Sequence, residues 1–325
     1  MKQNREKCFT LEITMTTITE LLHEQTMLET RLGHLIYGSI EVRENGDKKY
    51  IYVHFRENGL QITKYVGEYS EDLANVIIEN NKVARELKKK LKDIKRELGL
   101  LQYATNDLTQ EVKINIDLAR RNMVESIYKQ AKLEGVATTY ADTEIIINGG
   151  KVYGMTQEDI SKVVNLKHAW EFILSEGVVA YPTNYSVLCQ INAIVQEGFT
   201  YSAGRLRNVP VSIGGTSYIP TIPIESQVKE DLAELLSKEN SYDIAIELLL
   251  YVMKKQLYID GNKRTAVIFA NHYLVSRGMG LIVIPVELVE EFKLHLINYY
   301  EGKSVDIKKF LKDKCLTRLY EDNAN

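Results

Sequence analysis

A run of polar residues set between two apolar helical patterns constrains this chain more than any other segment. Residues 256–265 read Gln256-Leu257-Tyr258-Ile259-Asp260-Gly261-Asn262-Lys263-Arg264-Thr265. Ile244, Leu248, Tyr251 and Val252 precede them at helical spacing, and Ala266, Phe269, Ala270, Tyr273 and Leu274 follow at the same period. The pattern predicts a helix, a tight loop and a second helix whose N-terminus opens at the loop. Such an end presents free backbone N–H groups and the positive end of the helix dipole, which together suit phosphate. Asp260 offers one carboxylate for Mg²⁺, which on nucleotides takes one or two. Arg264 adds a planar fork for phosphate oxygens, and Lys263 a point charge. The loop reads as a nucleotide-phosphate site.

Two further regions frame it. The first is a small α+β module. A helical pattern from Thr16 to Leu32 is followed by three strand-like runs, His34–Val42, Tyr50–Phe55 and Leu60–Val66, separated by Asn-Gly turn signals at 45–46 and 58–59. This predicts a three-stranded antiparallel meander, too small to be stable unless it packs on a helix. The expected helix is Ser70–Leu98, with an apolar stripe from Leu73 to Leu98 and Gly99 as its stop. Its second half is basic, with Lys88, Lys89, Lys90, Lys92, Lys95 and Arg96, and reads either as a solvated face or as a surface for an acidic partner or nucleic acid. The stripe also suits self-association as a short coiled coil, which makes a homodimer an open expectation.

The second region is a mainly α body from Asp107 onward. Predicted helices are Asp107–Leu133, Thr156–Leu174, Asn184–Glu197, Ile224–Leu236, Ser241–Gln256, Arg264–Arg277 and Pro285–Tyr300, with Thr156 and Ser241 as N-caps. Between two of them lies Val209–Pro220, where β-rich pieces flank Gly214-Gly215 and predict a hairpin. The expected division is residues 1–69 as the helix-and-meander module, 70–106 as a connecting helix and linker, and 107–325 as the helical domain.

The loop, the hairpin and an upstream helix also resemble the Fic/Doc (Fido) family, whose signature is H-x-F-x-D/E-G/A-N-G/K-R. Tyr258 stands at the aromatic position, and Asp260, Gly261, Asn262, Lys263 and Arg264 match. The resemblance covers roughly residues 107–315 and implies a Fido-type helical fold with a β-hairpin flap. It implies Mg²⁺ and ATP as cofactors and transfer of AMP to hydroxyls of a target protein. Asp260 would hold the metal, and Gly261, Asn262, Lys263 and Arg264 the phosphates. Val211, Ile213, Gly214, Gly215 and Tyr218 would form the flap, which pairs with an extended target or regulatory partner through backbone hydrogen bonds. Leu133-Glu134-Gly135 resembles the family's inhibitory helix, with Glu134 and Gly135 as the inhibitory pair. Asn165, Ala169 and Trp170 fall where the core usually begins.

This chain departs from the family at three positions. Gln256 stands where the family has the histidine that removes the proton from the attacked hydroxyl, and an amide cannot serve as a base near neutral pH. The inhibitory signature wants Ser or Thr where Gln130 stands. The second arginine that usually pairs with the inhibitory glutamate is replaced by Val267, so Glu134 is expected to pair locally, with Arg264. Three readings therefore stay open: a Fic-like nucleotidyl or phosphoryl transferase of altered mechanism, a nucleotide-binding pseudoenzyme that regulates a partner, or a Doc-like toxin–antitoxin or nucleic-acid-associated component. His272, two turns beyond the loop, is expected to point elsewhere rather than replace the base.

Composition excludes little. The chain has 325 residues, 45% of them hydrophobic and 26% charged, with net charge −3, which gives no global electrostatic reason for nucleic-acid binding. Cys8, Cys189 and Cys315 are far apart and read as free thiols of a cytoplasmic protein. No apolar run approaches membrane-spanning length and no signal-peptide core appears at the N-terminus. Zinc-protease and P-loop motifs are absent from the sequence.

Overall fold

The computed structural model describes residues 2–57, 60–103, 107–303 and 306–319, with side chains from residue 14 onward except that of residue 57. In chain order the elements are α1 (Lys2–His34), β1 (Ser39–Asn45), β2 (Lys48–Glu57), β3 (Leu60–Glu68), α2 (Glu71–Leu100), α3 (Gln110–Arg121), α4 (Met123–Leu133), α5 (Tyr140–Ile147), α6 (Gln157–Ile173), α7 (Glu176–Ala180) and α8 (Tyr185–Val195). They continue with α9 (Glu225–Leu236), α10 (Tyr242–Lys255), α11 (Asn262–Val275), β4 (Leu281–Ile282), a 3₁₀ turn at Val286–Leu288, α12 (Val289–Tyr300), α13 (Ile307–Lys314) and β5 (Leu316–Thr317). The chain divides into two compact units, residues 1–20 with 105–325, and residues 21–104. It is mainly helical, with one small antiparallel meander.

In the smaller unit β1, β2 and β3 pair antiparallel in sequence order. Asn45 faces Lys48 across a two-residue loop, and Gly46 at φ +63° is the only residue of that loop with positive φ. Glycine at the first loop position alone is the geometry of a II′ turn, whose twist matches its flanking strands. The expected second turn, at Asn58-Gly59, lies outside the described residues. Ile51 and Val53 of β2 are buried with Ile77 of α2, and Leu73, Ala74, Phe55 and Val66 pack around them. This helix cover is what a three-stranded sheet needs to be stable. Ser70 caps α2 by accepting from the Leu73 amide at 3.1 Å. The helix runs through Gly99 to Leu100, one residue past the expected stop.

In the larger unit α10 and α11 form the central antiparallel pair. Every residue of α11 except Lys263 is buried, which is why its sequence shows apolar residues on all sides rather than a stripe. The predicted helix Asp107–Leu133 is two helices: Asn122 ends α3 with a non-helical backbone, and its side-chain amide donates to the Leu118 carbonyl at 2.8 Å. Asparagine competes with the helix for its own backbone groups, so a break there is physically sensible. Helices α5 and α13 go beyond the sequence expectation. Thr139 and Asp306 cap them. Thr156 caps α6 as expected, through the Asp159 amide at 3.0 Å. Ser241 occupies the N-cap position of α10 but makes no capping bond with its side chain.

Candidate phosphate loop between α10 and α11

Helix α10 ends at Gln256, which adopts the left-handed conformation (φ 45°, ψ 63°). A non-glycine residue there is uncommon and marks a place where the surroundings over-determine the backbone. The surroundings here are its own amide and that of Asn262. Gln256 Nε2 donates to the Met253 carbonyl at 2.7 Å, and its Oε1 accepts from Asn262 Nδ2 at 3.1 Å. Asn262 also donates to the Tyr258 carbonyl at 2.8 Å and accepts from the Tyr258 amide at 3.0 Å. Asn262 thus holds the turn from both sides. Tyr258 is buried, with its hydroxyl on Cys189 Sγ at 3.6 Å.

The loop then turns at Gly261 (φ +76°). A Cβ there would lie 2.5 Å from Gln196 Nε2, so glycine is required by both the backbone and its neighbour. Gln196 Nε2 donates to Asp260 Oδ2 at 3.1 Å. One turn earlier along the chain, Asn192 donates to the Asp260 carbonyl at 3.3 Å and to Thr265 Oγ1 at 3.1 Å, and its Oδ1 accepts from the Gly204 amide at 2.9 Å. These two buried amides brace the loop, and sequence reasoning missed both. The available signal was their spacing of four on the predicted helix Asn184–Glu197, which places them on one face.

Helix α11 opens at Asn262, and its first intrahelical bond runs from Thr265 N to Gly261 O at 2.8 Å. The preceding amides have no partner within the helix. Arg264 is 1% exposed, with Nη2 on Asp260 Oδ2 at 3.0 Å. Its Nε is buried without a hydrogen-bond acceptor and lies 3.7 Å from Glu134 Oε2. Lys263 Nζ lies 3.5 Å from Glu134 Oε1. Two carboxylates therefore neutralise the two cations of the loop. Partial burial pushes the Asp260 carboxyl up, but the Gly261 amide, Arg264, the Gln196 amide and Lys162 outweigh it and hold it below the ordinary aspartate range.

The upstream helix brings Glu134 to the loop through Gln130. Gln130 Nε2 donates to the Arg264 carbonyl at 2.7 Å, and its Oε1 accepts from Trp170 Nε1 at 3.1 Å. Gly135 follows at φ +78° and ends α4. Asn165 donates to the Val195 and Glu197 carbonyls at the end of α8. Val267 is buried and offers Glu134 nothing. Glu134 instead sits on Lys263 and Arg264.

The segment Val209–Pro220 turns at Gly214-Gly215, with Gly215 at φ +83°, but its legs carry no strand pairing. Arg207 replaces the ladder. This buried side chain donates to the carbonyls of Val209 (2.7 Å), Pro220 (3.2 Å), Thr221 (2.6 Å), Lys255 (3.4 Å) and Gln256. One guanidinium clips both legs together and fastens them to the C-terminal carbonyls of α10, where the helix dipole favours a cation. Desolvation holds the Arg207 pKa below the usual arginine value. At the tip, Tyr218 stacks on Tyr300 at 5.9 Å, and Thr216 donates to Glu301 at 3.0 Å. Val211 and Ile213 are half-buried, whereas Val209, Ile219, Ile222 and Ile224 are exposed.

His272 is fully buried, with Nδ1 on Thr183 Oγ1 at 2.9 Å and Nε2 on the Val178 carbonyl at 3.0 Å. It faces away from the loop, as expected. Burial first, together with Arg277, lowers its pKa to about 4, against the Val178 bond that raises it. Cys189 and Cys315 are free thiols, and the side chain of Cys8 lies outside the described residues.

Residues 182–274, from the start of α8 through the end of α11, match the family model described as Fic/DOC family. This stretch of the chain is thus similar to a Fic/DOC domain. The protein adenylyltransferase fic-1 of Caenorhabditis elegans is 23% identical over 231 residues, covering 66% of this chain and 43% of that protein. The chain therefore spans less than half the length of this curated relative. A solved structure of Fic-1 from C. elegans superposes with a TM-score of 0.51 at 17% identity, covering 74% of this chain and 79% of that one, which shows a shared fold. A Fic domain containing signaling protein from Bacteroides thetaiotaomicron gives 0.48 at 18% identity, with 59% and 76% covered. Among the described residues, no helix is long and apolar enough to cross a membrane.

Proposed function

We propose that the α10–α11 loop binds the phosphates of a Mg-nucleotide, ATP by analogy with the adenylyltransferase relative, and that the chain uses this as a regulatory, nucleotide-binding member of its family rather than as an efficient AMP transferase. The observation that carries the reading is Gln256. Its amide is spent on Met253 and Asn262, so it shapes the loop and has no proton-accepting role. His272, buried and bonded through both ring nitrogens, does not replace it.

The residues present fit the group. Open amides of the first turn of α11, the Arg264 Nε, which lacks a hydrogen-bond acceptor, and the half-buried Lys263 suit phosphate oxygens. The exposed Asp260 carboxylate suits a Mg²⁺ that keeps most of its ligands as water and phosphate. Among the described residues no three His, Cys, Asp or Glu side chains gather as a metal cage, so a nucleotide-borne ion matches the donor set better than a protein-held one. Bound Mg²⁺ would neutralise phosphate charge. Glu134 opposes anion entry by occupying Lys263 and Arg264, and has to release them for phosphate to bind.

The flap supports a protein partner. Its legs are clipped at their base by Arg207, carry no ladder of their own, and expose Val209 and Ile219, which suits an added strand. A second copy of this chain is the alternative occupant, read from molar mass in solution.

Incubation with labelled ATP and cell lysate tests the account. The expected result is no labelled protein from the natural chain, and labelling with Gln256→His, since a positioned base contributes about 10²–10⁴ in rate. Labelling by the natural chain at a rate matching Gln256→His contradicts it.

A further inference from the structure

The smaller unit holds a groove of about 510 Å³ between the edge of the meander and α2, outside the family domain. Its lining includes Arg56 from β2, Arg85 and Lys88 from α2, Ser39, His54 and Tyr37, and no acidic residue. Arg56, Arg85 and Lys88 are all exposed, and no carboxylate forms an ion pair with any of them among the described residues. Five other cations of this unit are paired, Arg43 with Glu41, Lys48 with Glu68, Lys49 with Glu44, Lys82 with Glu79 and Arg96 with Asp93, whereas Arg56, Arg85 and Lys88 share one concave lining. Arg85 and Lys88 are one helical turn apart, where like charges repel. The fold therefore gathers three uncompensated positive charges at a concave surface, which focuses their field.

Hydrogen bonds and close contacts also tie the walls of the groove together. Asn81 accepts from the Gly38 amide at 2.9 Å and donates to the Gly38 carbonyl at 3.0 Å, tying α2 to the approach of β1. Gly38 (φ +143°) comes so close to β2 that a Cβ would meet the His54 carbonyl at 2.5 Å. Lys88 is positioned 4.5 Å over the ring of Tyr37. His54 is held by Glu41 on one nitrogen and Thr63 on the other, at 2.6 and 2.8 Å. A groove of this size is in the range of small-ligand sites.

We infer that this groove is an oxyanion site that takes the phosphate groups of a polyanion, with Arg56 and Arg85 as the forked donors and Lys88 as the point charge. Phosphate chemistry of this kind has two sources, a free nucleotide or polyphosphate and the backbone of a single nucleic-acid strand. The inference is independent of the α10–α11 loop.

The test uses the full chain in the Arg264→Ala background, so that binding at the other loop does not contribute. Tripolyphosphate, ATP and a fluorescent oligothymidylate are titrated separately, with and without Arg56→Gln, Arg85→Gln and Lys88→Gln combined. The expected result is saturable binding that weakens at least tenfold in the triple variant, while Lys92→Gln with Lys95→Gln, farther along α2, leaves it unchanged. Tight binding of the oligonucleotide, with a salt slope that falls by about 2 in the triple variant, assigns the strand. Binding of tripolyphosphate or ATP without the oligonucleotide assigns the free ligand. Absence of binding by all three probes, an unchanged triple variant, or an equal loss in the Lys92/Lys95 control overturns the inference. Unfolding curves that superpose for all variants establish that the groove, and not the fold, was altered.

Discussion

At the scale of single residues, the loop is decided by side chains whose polar atoms are already committed. Gln256 was legible in the sequence as a departure from a histidine, because the residues after it keep the family order. Its left-handed backbone and its two hydrogen bonds were not legible, since they depend on Met253 and Asn262 closing around it. Gln196 was invisible for a related reason: α8 meets Gly261 only once the helices pack. Gly261→Ala tests that packing. The left-handed backbone costs about 1 kcal/mol for alanine, and displacing Gln196 from Asp260 costs about another 1 kcal/mol. Chemical denaturation should show a total loss near 2 kcal/mol in the natural chain. The loss should be near half that in a Gln196→Ala background, where the added methyl meets no amide. Equal losses in the two backgrounds would show that the contact does not matter.

At the scale of elements, the sequence spelled out the helices that carry one apolar face and the meander with its glycine turn. It was less informative where one side chain replaces a ladder. The β-rich pieces around Gly214-Gly215 predict a hairpin, but the legs are joined by the Arg207 guanidinium. No local pattern announces that, because its acceptors are backbone carbonyls from three places in the chain. Arg207→Met keeps the buried stem and removes the donors. Leaving several carbonyls without partners should cost on the order of 3 kcal/mol, and limited proteolysis should cut first within 209–221. An unchanged stability and cleavage pattern would show that the legs stand without the clip. Lysine should rescue poorly, since a point charge cannot reach the same set of carbonyls.

At the scale of the whole molecule, acid sensitivity should come in part from the interior. His272 has its folded pKa lowered to about 4 by burial, against an ordinary value near 6.5 when unfolded. The unfolded chain therefore takes up a proton first, and the stability tied to neutral His272 is complete above about pH 6.5 and is lost as pH falls toward 4, up to about 3 kcal/mol. Unfolding free energies of His272→Gln should fall less steeply than those of the natural chain across that window, and an identical slope would assign the sensitivity elsewhere. The loop proposed to bind phosphate has its two cations, Lys263 and Arg264, held by Asp260 and Glu134. Calorimetric titration of Mg-ATP into the full chain tests this most directly. Saturable binding is expected, lost in Arg264→Ala and tighter by about tenfold, roughly 1.4 kcal/mol, in Glu134→Gln. Absence of heat in both the natural chain and Glu134→Gln would contradict it.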